Sequence, residues 1–383
     1  MKKIKNVFII FGAIILVTFT FLMVEEIIKK PPIQTSYQIN GAGQKIYKIS
    51  NNELGPSFKS TPTNTINATT APAVGAIGPV FQKPLGFAKV DYPKIYAYDY
   101  QSKTVTAFDL EHKTFQQLYD DPNISFLSLS PDKQSLLIKS SRGVIDHYFV
   151  LDITADNLTK LNLLTRAAGW IGNLPLYYVS NEGNVNYVAE LNRQGVEKKL
   201  FNFSLLEPEF FSPDGQEVIF YDKPRTGRAS PLFLYNPGQS LIKEIFQAEP
   251  VLTAIGQKNS NLIFISYFSQ SNWVSNLIDL GGKIQKAFNF GTFADSKCSF
   301  EQYLVCGVPT NQNLTGLPES WLQLKKSFTD KIFIYNPNDN KEKTIDLNGN
   351  YDVLKPQLTQ AGLFFTNRFD RKLYFMPMKN FSL

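Results

Sequence analysis

The chain has 383 residues, of which 43% are hydrophobic and only 19% charged. That balance excludes a disordered chain and suits one large domain or two ordinary ones. The formal net charge of +6 does not mark a nucleic-acid binder, because residues 1–30 hold five Lys and two Glu, or +3, leaving +3 for the rest. The 31 Phe and 18 Tyr favour strands. Two cysteines, Cys298 and Cys306, and two histidines, His112 and His147, lie too far apart in sequence to make a four-ligand zinc centre.

Lys2, Lys3 and Lys5 precede an uncharged run from Val7 to Val24. At 1.5 Å per residue these 18 residues make a helix of roughly 27 Å, close to a bilayer core. Secretory signal cores are shorter, about 7 to 15 residues, and end in a small-x-small cleavage site. This run ends Leu22-Met23-Val24-Glu25-Glu26 without one. The expectation is a retained anchor over residues 7–24, with a cleaved signal as the alternative. The lysines before it place residues 1–6 in the cytoplasm and the remainder outside, as a single-pass protein of the cell membrane. Residues 25–78 read as a spacer. Its Thr61-Pro62-Thr63-Asn64-Thr65 stretch cannot build a core, and residues 34–50 or 75–82 are candidates to donate a closing strand.

From residue 79 the chain repeats. Ser130-Pro131-Asp132-Lys133 and Ser212-Pro213-Asp214-Gly215 each follow one apolar strand and precede another. Pro presets φ, Asp caps its own turn and Gly accepts φ > 0, so both read as hairpin turns. Strands of the same kind start at Ile95, Leu136, Leu176, Val218, Leu262, Leu304 and Leu363, in steps of 41, 40, 42, 44, 42 and 59. A later strand in most units ends in Asp or Asn, as at Asp109, Asp152, Asn192, Asn236, Asp279 and Asn336. Four short strands in roughly 42 residues make a propeller blade, so the expected fold is all-β, a seven-bladed β-propeller over residues 79–383.

The apolar strand, Ser-Pro-Asp-Gly turn and following Glu217-Val218-Ile219-Phe220 resemble the TolB-like, WD-type repeats of bacterial envelope propellers. The other turn slots are degenerate, and the TolB N-terminal domain has no counterpart here. The resemblance implies blade architecture, an extracytoplasmic location and protein partners.

Cys298 and Cys306 flank a tight turn at an i, i+8 spacing. They read as a cross-strand disulfide contributing about 2 kcal/mol, with two separate buried thiols as the alternative. Gly-x-Ser-x-Gly is absent, and no phosphate loop or calcium loop is complete, so no catalytic residue, cofactor or metal site is assigned. Leu304 to Phe333 spans 29 residues where Val218 to Phe233 spans 15, an insertion of about 14 residues in blade six. Its loop opens on the same propeller face as Arg225 and Arg228 of blade four and Trp273 of blade five. With Glu319, Trp321 and Lys325 of the insertion these form the candidate binding face, or else pack the insertion onto the blades. Loop-closure entropy alone predicts that deleting Thr310–Lys325 leaves the domain folded.

The leading functional expectation is a binding or scaffold module for a protein, peptide or cell-envelope polymer. A propeller-class carbohydrate hydrolase or lyase is the alternative. Two inward carboxylates about 5 to 10 Å apart at the channel mouth would mark the enzyme, and a channel of small and apolar residues the scaffold.

Overall fold

A computed structural model describes residues 37–39, 45–48 and 77–378, with breaks at 144, 181–185, 193–194, 226, 270–271 and 312–315. The expected anchor, residues 7–24, and nearly all of the expected spacer lie outside the described residues. Among the described residues no helix is long and apolar enough to cross a membrane. The chain divides into two units, residues 1–48 and 49–383. The described part of the first is an antiparallel hairpin, Tyr37–Ile39 against Lys45–Lys48.

The second unit is a seven-bladed β-propeller. The second strands of its blades are Lys94–Asp99, Ser135–Arg142, Leu174–Val179, Val218–Asp222, Leu262–Ser269, Leu304–Pro309 and Gly362–Asn367, and each contains the start read from the repeat. Blade seven supplies three strands of its own, ending with Leu373–Pro377. Its fourth is Gly78–Pro79, which pairs Gly78 with Phe375 and Pro79 with Tyr374. The pairing covers an edge that would otherwise template association, and Val80 and Leu85 extend it by donating to the carbonyls of Leu373 and Arg371, both at 2.8 Å.

The core lies between blades. One buried cluster joins each neighbouring pair: Tyr98 of blade one meets Leu136 of blade two, and Phe220 of blade four meets Tyr178 of blade three. Phe364 of blade seven meets Leu85 and Ile95 of blade one, which closes the ring. A single blade is apolar on both faces, so stability is a property of the stacked ring.

The recurrent Asp or Asn has a local cause. At the end of the third strand its side chain accepts backbone N–H groups of the following turn. Asp152 takes Thr154 and Ala155 at 2.8 and 2.9 Å, and Asp279 takes Gly281 and Lys283 at 2.8 and 3.0 Å. Asn192 and Asn336 do the same with Val196 and Asn338. These turns contain a residue at positive φ: Lys113, Asp156, Gly195, Ser240, Gly282 and Asn340. The side-chain bonds hold that left-handed backbone even where it is not glycine.

Candidate functional site

Successive connections of an antiparallel meander alternate between strand ends. First-to-second turns therefore open on one propeller face. Second-to-third loops and blade connections open on the other. The sequence-derived candidates sit on this second, loop face, and the structure draws two of them into the interior. Trp273 and Trp321 are buried with Phe293, Leu317 and Phe328. Trp321 stacks on Phe293 with ring centroids 4.4 Å apart, and Trp273 meets the same ring edge-on at 4.9 Å. A Cβ on Gly291 would come within 2.0 Å of the Trp273 ring, so only glycine fits there. Arg225 and Arg228 remain in their own loop, paired with Glu207 and, at 2.7 Å, Asp222. Glu319 lies in the first turn of the short helix Glu319–Leu322, and Lys325 is exposed beyond it.

Beneath Trp321 lies a charge network that sequence reading missed. Lys297, fully buried, donates to Asp330 and Asp352, each at 2.5 Å, and to the Val353 carbonyl at 3.2 Å. Asp352 also accepts from Trp321 Nε1 at 3.1 Å and from the Phe328 N–H at 3.2 Å, and pairs with Arg368 at 3.5 Å. The Arg368 guanidinium lies 4.1 Å from the Trp321 ring centroid and also donates to the Trp321 and Lys326 carbonyls. Two cations balance two carboxylates, the condition under which buried charge is tolerated. Asp330 Oδ1 has no partner among the described residues. Burial pushes the Asp330 pKa up to about 6, with Lys297 opposing and Asp352 adding to the rise. The insertion is therefore a packed cap over buried charge. Its removal is governed by that burial rather than by loop closure, which corrects the expectation from loop entropy.

Cys298 and Cys306 pair directly across the first two strands of blade six, and their sulfurs are bonded at 2.10 Å. The disulfide pins the three-residue inner strand Cys298–Phe300. That strand leads to the opposite, turn face of the propeller.

There the inner strand ends of blades one, two, five, six and seven enclose a cavity of about 960 Å³ at the channel mouth. Four lysines line it, Lys89, Lys133, Lys258 and Lys355, against two carboxylates, Asp91 and Glu301. Asp91 is taken up by an ion pair with Lys133. Gln357 bridges blades seven and one in the wall of the mouth by accepting from the Val90 N–H at 2.9 Å. Lys89 is half-buried in the wall. Desolvation pulls its pKa down to about 7, Lys355 adds to the fall and Glu301 opposes it. Lys355 reaches the Asp295 carbonyl, and Lys258 the Pro131 carbonyl at 3.4 Å. Burial raises the pKa of Asp295, against the opposing charge of Lys355. The mouth is not a channel of small and apolar residues: it holds two carboxylates, Asp91 and Glu301, among four lysines. Blades one, two, five and seven contribute one lysine each, tens of residues from the next, so no local motif announces the cluster. Among the described residues no group of three His, Cys, Asp or Glu side chains is placed to hold a metal ion.

No protein-family profile matches the sequence, and no curated protein matches it either. Solved structures do share the fold. An oligogalacturonate lyase in complex with manganese aligns over 91% of this chain and 97% of its own, with TM-score 0.55 and 9% identity. The β-propeller domain of the Trilobed protease from Pyrococcus furiosus, described as having an open velcro topology, aligns over 78% of this chain and 96% of its own, with TM-score 0.53 and 9% identity. TolB from Acinetobacter baumannii aligns over 72% of this chain and 60% of its own, with TM-score 0.41 and 14% identity. At these identities the likeness concerns the fold alone.

Proposed function

We propose that this chain is a binding module, held at the cell membrane by residues 7–24 and displayed outside the cytoplasm, whose site is the channel mouth on the turn face. Its ligand is a protein, a peptide or a cell-envelope polymer. The observation carrying this reading is the mouth: a cavity of about 960 Å³ whose charged groups are mostly ammonium, with one of its two carboxylates already paired. Clefts of this size hold ligands by a few convergent polar groups. The uncharged run with lysines before it supports the anchored topology.

The test is a pull-down from envelope extracts with the full chain in detergent. Lys258→Gln and Lys355→Gln should lose the partner, while Arg225→Ala with Arg228→Ala on the loop face should retain it. The reverse pattern would move the site to the loop face. Protease added outside intact cells, after any outer barrier is opened, should remove the domain from about residue 50 onward. A domain protected together with a cytoplasmic marker would reverse the orientation.

A second reading, a carbohydrate-cleaving enzyme, is favoured by Lys89. A lysine drawn down to about 7 inside a cavity is half neutral near that pH and suits a general base. New reducing ends or an unsaturated product from oligosaccharides, lost in Lys89→Gln, would establish it.

A further inference from the structure

The lining of the mouth narrows the class of ligand. Of the four lysines, Lys133 is neutralised by Asp91, which leaves Lys89, Lys258 and Lys355 facing one unpaired-sign carboxylate, Glu301. Lys258 and Lys355 meet backbone carbonyls, and neither pairs with a carboxylate among the described ion pairs. The mouth thus carries excess positive charge inside a low-dielectric wall, where an entering anion gains more than it would on an open surface.

The neutral groups point to carbohydrate. Gln302 and Gln360 are exposed at the rim, and they offer amides that both donate and accept. Tyr92 is the exposed large hydrophobic side chain among the described mouth residues, at 36%. One open ring among amides and ammonium groups matches the flat apolar face and polar edge of a sugar. Of the apolar side chains beside this mouth, Phe300 and Val305 are buried in the blades while Leu129, Ile255, Leu358 and Met378 stay partly exposed, so an acidic peptide is the competing occupant that the test must separate.

We propose that the turn-face mouth binds an acidic carbohydrate chain, with its anionic groups held by Lys89, Lys258 and Lys355 and a sugar ring laid on Tyr92. The anionic group is a carboxylate or a phosphate, which present the same charged oxygens to an ammonium. The inference rests on the mouth being the binding site, as proposed above. Lys89 adds a pH signature. It is faced by Lys355 from blade seven and Glu301 from blade six, with Asp91 on its own strand. Above about pH 7 it loses its proton, and the site loses one of its three ammonium groups.

The experiment titrates the full chain in detergent with four probes: a short oligouronate, a sugar-phosphate oligomer of equal length, a neutral oligosaccharide and an oligoglutamate peptide. At least one anionic sugar oligomer should bind, and which one does identifies the anionic group. Binding should weaken with added salt and as pH rises through 7. Lys258→Gln and Lys355→Gln should each cost about tenfold in Kd, and Lys89→Gln should remove the pH dependence. Circular dichroism confirms that each variant is folded. Equal or tighter binding of oligoglutamate would overturn the carbohydrate class in favour of an acidic peptide. Failure of both anionic sugars would also overturn it, and the pull-down then separates the two levels. If Lys258→Gln still loses the envelope partner, the mouth stands and only the ligand class falls; if the partner is retained, the mouth reading falls with it.

Discussion

Replacing Trp321 by alanine tests whether the blade-six insertion is a free loop or part of the core. The side chain is 3% exposed and stacks on Phe293, and it covers the Lys297–Asp330–Asp352–Arg368 network. Truncating a buried Trp costs about 3–5 kcal/mol through lost transfer energy and the cavity left behind. The change also removes the indole donor to Asp352, which keeps Lys297, Arg368 and the Phe328 N–H, so the added penalty stays near the low end of about 1–3 kcal/mol. A total of about 5 kcal/mol, set against an unfolding entropy of about 2.1 cal/mol/K per residue over roughly 300 residues, lowers Tm by about 8 °C. Trp321→Phe keeps most of the stacking and should lose about a third of that. Thermal unfolding followed by circular dichroism gives the measurement, and deletion of Thr310–Lys325 should be at least as damaging. A Tm within about 2 °C of wild type for Trp321→Ala would refute the buried-cap reading.

Three other predictions follow from the same geometry. The Asp330 pKa lies near 6 in the folded chain against an ordinary 3.8. Its stabilising contribution is therefore complete below pH 3.8 and is lost as pH rises toward 6, by about 3 kcal/mol. Asp330→Asn should flatten that window of the Tm–pH profile, and an unchanged profile would rule the assignment out. Cys298→Ala with Cys306→Ala should lower stability by about 2 kcal/mol; reductant should bring the wild type to the same Tm while leaving the variant unmoved. Asp279→Ala, which strips two backbone N–H groups of their acceptor in an exposed turn, should cost about 1 kcal/mol in denaturant titration, and no loss would show that the turn holds without its side-chain cap.

Blade architecture was legible because its causes are local. The turn-capping Asp and Asn side chains and the Ser-Pro-Asp hairpins act within a few residues, so they recur in sequence with the period of the blade. In the first Ser-Pro-Asp turn, Ser130 Oγ donates to Asp132 at 2.6 Å, and Asp132 accepts the Gln134 N–H at 3.1 Å. Ring closure was half legible. The shortness of blade seven announced a missing strand, but Gly78–Pro79 is two residues long and carries no strand pattern of its own. Its role comes from Tyr374 and Phe375, almost 300 residues away.

The two charge clusters were illegible for a related reason. Trp321, Arg225 and Lys325 looked like interface anchors because Trp and Arg are common there. Burial decides the role of each residue, however, and burial depends on Lys297, Asp330 and Asp352, which single positions in three separate segments bring together. Lys89, Lys258 and Lys355 carried no signal in the sequence for the same reason. A propeller places one position of each inner strand around a common axis, so its channel chemistry is written at intervals of a blade or more. A lysine there sits in a wall rather than on a surface, and its neighbours are the corresponding residues of other blades. The downward pull on Lys89 by desolvation and by Lys355 is the consequence of that placement. The same logic ranks the experiments. A loop-face variant such as Arg225→Ala disturbs one exposed pair, with Glu207 in the connection that enters the same blade. A turn-face variant such as Lys355→Gln alters the field experienced by residues of several blades at once, and its effect on binding should depend on salt and pH where that of Arg225→Ala does not.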